Sequence, residues 1–358
     1  MKLEEISEKI KGLDSTAMDT TRILQDSLVK PAGSLGMLES ISIQMAGITG
    51  KVKSNIGKRV HFVFGADNGI YEEGVSAAPQ NFTNFLMKGY ASGKKCGINV
   101  LCEYNKVDLK LVDMGVIGEL DYPNILNKKL MSNGTNNFYK ERSMSRDIAF
   151  KAIEVGFELV KLACDEGYDI IGTGEVGMGN TSTAAACIMA ALGSTDTEKA
   201  IGRGGGLTDE AYENKKRVIS QALAMHKPDA EDIVDIISKV GGLDIAAMTG
   251  VFIGAAYYRK PVSIDGVISI AAALLAYKFN PLTKEFMFPS HISEEPAYNL
   301  AAEAMELKPM LNLGMRLGEG TGCPIAMGII GNAMAIINNM STFEEVNMDI
   351  EYRKGIKA

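Results

Sequence analysis

From residue 60 onward, short apolar runs repeatedly end in a glycine or an acid, and longer stretches with helical spacing follow. Val60 to Phe64 runs into Gly65-Ala66-Asp67-Asn68-Gly69, and Leu109 to Val112 into Asp113-Met114-Gly115. Tyr168 to Ile171 runs into Gly172-Thr173-Gly174-Glu175, and Val262 to Ile264 into Asp265-Gly266. Strands that alternate with helices imply an α/β fold with a parallel sheet covered on both faces. Ligands of such sheets bind beyond the carboxyl ends of the strands. Strand ends that carry glycines and acids therefore predict a crevice lined by loops and carboxylates.

The two ends of the chain read differently. Residues 1 to about 50 have helical spacing, with Asp14-Ser15-Thr16 as a cap and Lys30-Pro31-Ala32-Gly33-Ser34-Leu35-Gly36 as an interruption before Met37 to Ile48. After residue 306 the pattern is again helical, broken by Leu317-Gly318-Glu319-Gly320-Thr321-Gly322. Pro324 suits the first turn of a helix running to about Asn338. The reading is a small helical domain made of 1–58 with 306–358, beside a large α/β domain of 59–305.

Composition excludes several classes. With 358 residues and 46% hydrophobic content the chain can bury a large core. The net charge of −7 and the lack of a dense Lys/Arg run argue against a nucleic-acid partner, though a local site can still bind an anion. Cys96, Cys102, Cys164, Cys187 and Cys323 form no C-x-x-C pair and read as reduced cytoplasmic thiols. Met1-Lys2-Leu3-Glu4-Glu5 is not signal-like, and the longest apolar run, Val267 to Tyr277, is too short to span a membrane. His61, His226 and His291 lack metal-ligand spacing, so no metal is expected, and the chain is expected to work without a cofactor.

Three glycine-rich segments carry the chemistry. Gly172-Thr173-Gly174-Glu175-Val176-Gly177 matches G-x-G-x-x-G, with Asp196 near the distance expected of a nicotinamide-dinucleotide oxidoreductase. Glu175 inside that turn would repel a pyrophosphate, and Asp196 ends no strand. A helix Thr181 to Leu192 capped by Asn180 instead leaves the N–H groups of Gly177, Met178 and Gly179 for a single phosphate; a plain structural turn fits those residues equally well. Gly202-Arg203-Gly204-Gly205-Gly206 lacks the ending of a nucleoside-triphosphate loop, and Lys215 beyond it would ordinarily be a solvated helix residue. Glu319, between two glycines, can approach a ligand closely and would suit a general base if desolvated; a solvated loop acid is the alternative.

These residues, in this order, resemble the nicotinate-nucleotide–dimethylbenzimidazole phosphoribosyltransferases, which make the lower-ligand nucleoside of cobalamin. The resemblance covers nearly the whole chain. It rests on Lys30 to Gly36, Gly65 to Gly69, Glu73-Gly74-Val75-Ser76, Gly174 to Thr181 and Lys239-Val240-Gly241-Gly242. Pro261 to Gly266, Ser290-His291-Ile292-Ser293 and Arg316 to Gly322 complete it. It implies a homodimer with a Rossmann-like large domain and a small helical domain from both chain ends. It implies Glu319 as catalytic base, with Glu175 as a second catalytic carboxylate. Phosphate and nucleotide contacts are implied for Gly177, Met178, Gly179, Asn180 and Thr181, and for Gly202, Gly204, Lys215 and Ser293. The aromatic base is expected against Ala78, Pro79, Leu86 and Leu317.

The implied reaction needs one base. The ring nitrogen of nicotinate mononucleotide is cationic, so nicotinate leaves without a general acid, while the incoming benzimidazole must lose its N–H proton. Attack opposite the leaving group converts a β-glycosidic bond into an α one. A non-catalytic paralogue is the competing reading within the family. Three positions depart from the family pattern: Asn68 replaces a histidine, and Ala78 and Leu86 stand where a serine and a glutamine are common near the base. The last two predict an apolar base pocket that takes benzimidazoles and handles purines poorly.

Overall fold

The computed structural model describes residues 3–349; residues 1–2 and 350–358, the outermost parts of the expected end domain, lie outside the described residues. Six parallel strands form one sheet: β1 (Arg59–Ala66), β2 (Asp108–Gly115), β3 (Ile125–Asn127), β4 (Ile170–Val176), β5 (Val262–Ile264) and β6 (Met287–Pro289), in the order β3-β2-β1-β4-β5-β6. The order reverses between β1 and β4, the switch point at which open α/β sheets bind ligands.

The four anticipated strands are all present. Three extend further than their apolar runs, and the largest difference is at β4. The segment Gly172 to Glu175 is not a turn after the strand; it is strand, paired with His61 to Phe64 of β1. The glycines are there because the sheet face is crowded. A Cβ on Gly172 would lie 2.4 Å from His61 Nδ1, and one on Gly174 would lie 2.5 Å from the Glu319 carbonyl. Thr173 points to the opposite face, where its hydroxyl meets the Ser263 carbonyl at 3.0 Å and the Ser269 hydroxyl at 2.7 Å. The alternation of a strand thus explains the G-x-G spacing without a dinucleotide. Asp196, for its part, caps the short helix Thr197–Ala200 by accepting from the Lys199 N–H.

Helices cover both faces. Leu243–Tyr257 is buried all round between the sheet and helix Arg146–Asp165, which explains why its apolar residues follow no single stripe. Gly322–Asn339 covers the other face over β4 and β5 and packs on helix Met37–Thr49. Leu28 pairs with Thr342 in an isolated bridge, so the two chain ends touch. Phe62 and Phe64 of β1 are buried in the core, and such a burial stabilises by about 1.5–3 kcal/mol per side chain. The cysteines are unpaired, three buried and two half-buried. Among the described residues no helix is long and apolar enough to cross a membrane.

Candidate active site

A cavity of about 440 Å³ opens at the carboxyl ends of the strands. The chain after β1 supplies Val75, Ser76, Ala78, Phe82 and Leu86; β4 and its helix supply Glu175 to Thr181; β5 supplies Asp265 to Ser269. The segment after β6 adds His291, Ser293 and Glu295, and Arg316 to Glu319 close the mouth.

Glu319 occupies a backbone position that few side chains tolerate. Gly318, Glu319 and Gly320 have φ of 83°, 62° and 83°. A left-handed non-glycine residue costs of order 1–3 kcal/mol and persists only where its surroundings enforce it. Here Gly320 lies against His61, where a Cβ would come within 2.1 Å of the ring. His61 itself is fully buried, and desolvation lowers it to about 4, so it stays a neutral prop for the loop. The turn directs the Glu319 carboxylate at the start of helix Gly97–Tyr104, where Oε2 accepts the Ile98 N–H at 3.0 Å. That N–H and the Tyr90 phenol favour the charged carboxylate, but burial dominates and raises its pKa above the usual glutamate value. Glu319 is 9% exposed, so it is not a solvated loop acid.

Glu175, next to last in β4, has its Oε2 accepting from Asn180 Nδ2, and a Cβ on Gly318 would stand 2.9 Å from its Oε1. Burial, then Asp244 and Asp265, push its pKa well above normal. Asp265 accepts the Gly322 N–H at 2.7 Å, and burial raises it too. Asp244, behind the wall, is raised by burial to about 7. Carboxylates this close and this dry resist ionising together.

The phosphate region differs in detail from the sequence reading. The helix runs Asn180–Leu192 with Gly179, at φ 88°, as its cap, so Asn180 is the first helical residue and its side chain serves Glu175. The Met178 N–H is already donated to the Thr83 hydroxyl at 3.1 Å. Asn68 is buried beneath this turn and reaches the Met178 carbonyl at 3.4 Å. Lys215 is not a solvated helix residue. It is 0% exposed, and its Nζ donates to the Thr181 hydroxyl at 2.9 Å and the Gly202 carbonyl at 3.0 Å. Burial lowers it to about 8 against the opposing pull of Glu295. Lys215 and Gly202 thus stand behind the cavity wall, which Thr181, Gly204 and Ser293 form in front of them.

Of the residues expected against the aromatic base, Ala78, Leu86 and Leu317 line the cavity, joined by Val75, Phe82 and Val176. Pro79 does not; it is exposed outside, since its carbonyl turns the chain into helix Phe82–Ala91 by accepting the Phe82 N–H. Sequence reasoning missed Phe82, His291, Glu295 and Arg316 as wall residues. His291 and Glu295 follow β6, whose Met-Phe-Pro is too short to stand out as an apolar run, although it repeats the pattern of apolar residues before polar ones.

Comparison with known proteins decides the family. A phosphoribosyltransferase family model matches residues 10–348. The nicotinate-nucleotide–dimethylbenzimidazole phosphoribosyltransferase of Clostridium perfringens (strain 13 / Type A) is 47% identical, covering 99% of this chain and 98% of the relative. That of Clostridium tetani (strain Massachusetts / E88) is 46% identical, with the same coverage of 99% and 98%.

The chain belongs to the nicotinate-nucleotide–dimethylbenzimidazole phosphoribosyltransferase family.

The fold agrees across a wider distance. The crystal structure of CobT from Thermus thermophilus matches with a TM-score of 0.89 at 33% identity, covering 94% of this chain and 99% of that one. The cavity is lined by apolar side chains after β1, by carboxylates, and by glycine loops backed by Lys215.

Proposed function

We infer that this protein transfers the ribose 5-phosphate of nicotinate mononucleotide to a benzimidazole-type base, releasing nicotinate and an α-ribazole phosphate for the lower ligand of a cobamide. The observation that carries the residue assignment is Glu319, a buried carboxylate held in a left-handed turn at the cavity mouth. Its raised pKa matches a base that must take a proton near neutral pH.

The nucleotide lies with its phosphate toward Gly177 to Thr181 and Gly204, where the helix Asn180–Leu192 begins and the Lys215 charge lies just behind. The aromatic base stacks among Ala78, Phe82, Leu86 and Leu317. Its free nitrogen attacks the anomeric carbon as nicotinate departs with the bonding electrons, which neutralise the ring nitrogen. Glu319 removes the proton from the other nitrogen. Glu175 and Asp265 line the cavity beside the ribose, and since these dry, neighbouring carboxylates resist ionising together, they meet the positive charge that grows there with one shared negative charge.

The active assembly is a homodimer in the cytoplasm, and the two chain ends form its small helical domain. Support for the domain comes from the packing of Gly322–Asn339 on Met37–Thr49 and from the Leu28–Thr342 bridge. A monomer mass by light scattering at micromolar concentration would refute the dimer. The activity is tested by incubating the protein with nicotinate mononucleotide and dimethylbenzimidazole and following nicotinate release. No release, with both substrates bound, would identify a non-catalytic paralogue.

A further inference from the structure

The glycine loop assigned to the phosphate already holds an anion. Glu295, half-buried after β6, extends its carboxylate into the loop, and its Oε1 accepts the Gly204 N–H at 2.7 Å. Gly202 is shaped to admit it. A Cβ there would lie 2.3 Å from Glu295 Oε2, 2.5 Å from Cδ and 2.6 Å from Oε1. Gly204, at φ 57°, is the point where the cradle converges. A Cβ on it would stand 3.0 Å from the Thr181 hydroxyl and 3.8 Å from Lys215 Nζ. Lys215 spends its hydrogen bonds on neutral oxygens, those of Thr181 and Gly202. The carboxylate is therefore held by a backbone N–H in a glycine loop near a buried ammonium, which is the environment a phosphate oxygen would want.

We propose that Glu295 sets the nucleotide affinity of the transferase, as a resident anion that competes with the nucleotide phosphate for the Gly204 N–H and so holds that affinity down. This rests on the reading that the phosphate binds in this loop. A phosphate and a carboxylate in one cradle repel, so phosphate entry turns Glu295 out toward solvent and binding bears that cost. The cost has a use. Substrate and product nucleotides carry the same phosphate, so a stronger grip would bind both alike. Uniform binding lowers KM without raising kcat, and it slows product release. A ligand without a phosphate leaves Glu295 in place and feels none of this.

The test is calorimetric titration of the full-length protein with inorganic phosphate, nicotinate mononucleotide and the corresponding nucleoside. Glu295→Gln keeps an oxygen for the Gly204 N–H and removes only the charge, so the loop stays folded. It is expected to bind phosphate and the nucleotide about tenfold tighter, a modest share of a charge-pair effect, with nucleoside affinity unchanged. KM for the nucleotide falls in step while kcat stays level or drops. Glu295→Asp, which keeps the charge but draws it back from Gly204, falls between. Unchanged or weaker phosphate binding in Glu295→Gln overturns the proposal. If Lys215→Met still weakens phosphate binding in that case, the cradle stands and only the role of Glu295 falls. If neither variant alters phosphate affinity, the phosphate is bound elsewhere and both readings fail.

Discussion

The two ends of the cavity are built from different materials. The phosphate end consists of backbone in special conformations and one charge sealed in the protein: Gly179 at φ 88°, Gly204 at φ 57° and Lys215 at 0% exposure. The base end consists of apolar side chains on a solvated wall, Leu317 at 62% and Phe82 at 38% exposed, with Phe85 stacked on Phe82 at 5.6 Å. A side chain on such a wall can be exchanged with little cost to folding, whereas glycine loops and a buried lysine are tied to the core. On the proposed assignment, the base end is therefore where specificity is expected to change, and the phosphate end is where the fold constrains it.

Glu319 sits between the ends and gives the largest expected effect. Glu319→Gln is expected to lower turnover by about two to four orders of magnitude, the usual worth of a general base, while both ends still bind. Near wild-type turnover with saturating benzimidazole would remove Glu319 from the role. With Glu319 as the proposed base, the acid limb of the pH–rate profile is expected to belong to the same carboxylate. Because burial raises its pKa, activity should fall on acidification at a pH above the ordinary glutamate range, and Glu319→Gln should lose that limb.

Next comes Lys215. Lys215→Met preserves the volume of the buried stem and should weaken nucleotide binding by roughly ten- to a hundredfold, on the scale of one charge-assisted contact, leaving the free base unaffected. Equal losses for both ligands would break the distinction between the ends. Burial lowers this ammonium to about 8, so nucleotide binding should also decline as pH rises through that value. The stability sign is opposite. A lysine depressed in the folded state carries its full penalty below about 8, and the penalty is relieved as pH climbs toward the unfolded value of about 10.4. Thermal melts from pH 7 to 10 should show wild type gaining on Lys215→Met across that window.

The smallest effect is expected at the base end. In competition at equal concentration, dimethylbenzimidazole should be incorporated in preference to adenine, because Ala78 and Leu86 offer no partner for the polar edges of a purine. Leu86→Gln should narrow that preference by several-fold to about tenfold, as expected from one restored hydrogen bond. Preferential use of adenine by the unaltered protein would overturn the apolar-pocket argument and point to neighbours such as Ser76, Gln80 or Asn84 for the missing contact.

Legibility in the sequence followed the range of the interactions. Four strands were readable because each is an apolar run stopped by a glycine or an acid, whereas β3 and β6 are as short as β5 but run into neither. The Gly172–Gly174 pair misled because a glycine demanded by a neighbour looks the same in sequence as one demanded by a turn. His61 and the Glu319 carbonyl, the groups that exclude side chains there, are far away along the chain. The family resemblance placed Pro79 against the base, but the turn into helix Phe82–Ala91 leaves it exposed outside the cavity.

By itself the sequence determined the alternation of strand and helix, the glycine–acid strand ends and hence the edge of the sheet where ligands bind. These depend on local periodicity and on backbone freedom, which neighbouring residues encode. Tertiary structure alone decided which side chains lost their water. Lys215 and Glu319 both had an ordinary solvated reading, and only the packing of distant segments around them buried one and nearly buried the other. Their shifted protonation follows from desolvation, a property of the folded surroundings and not of the residue type.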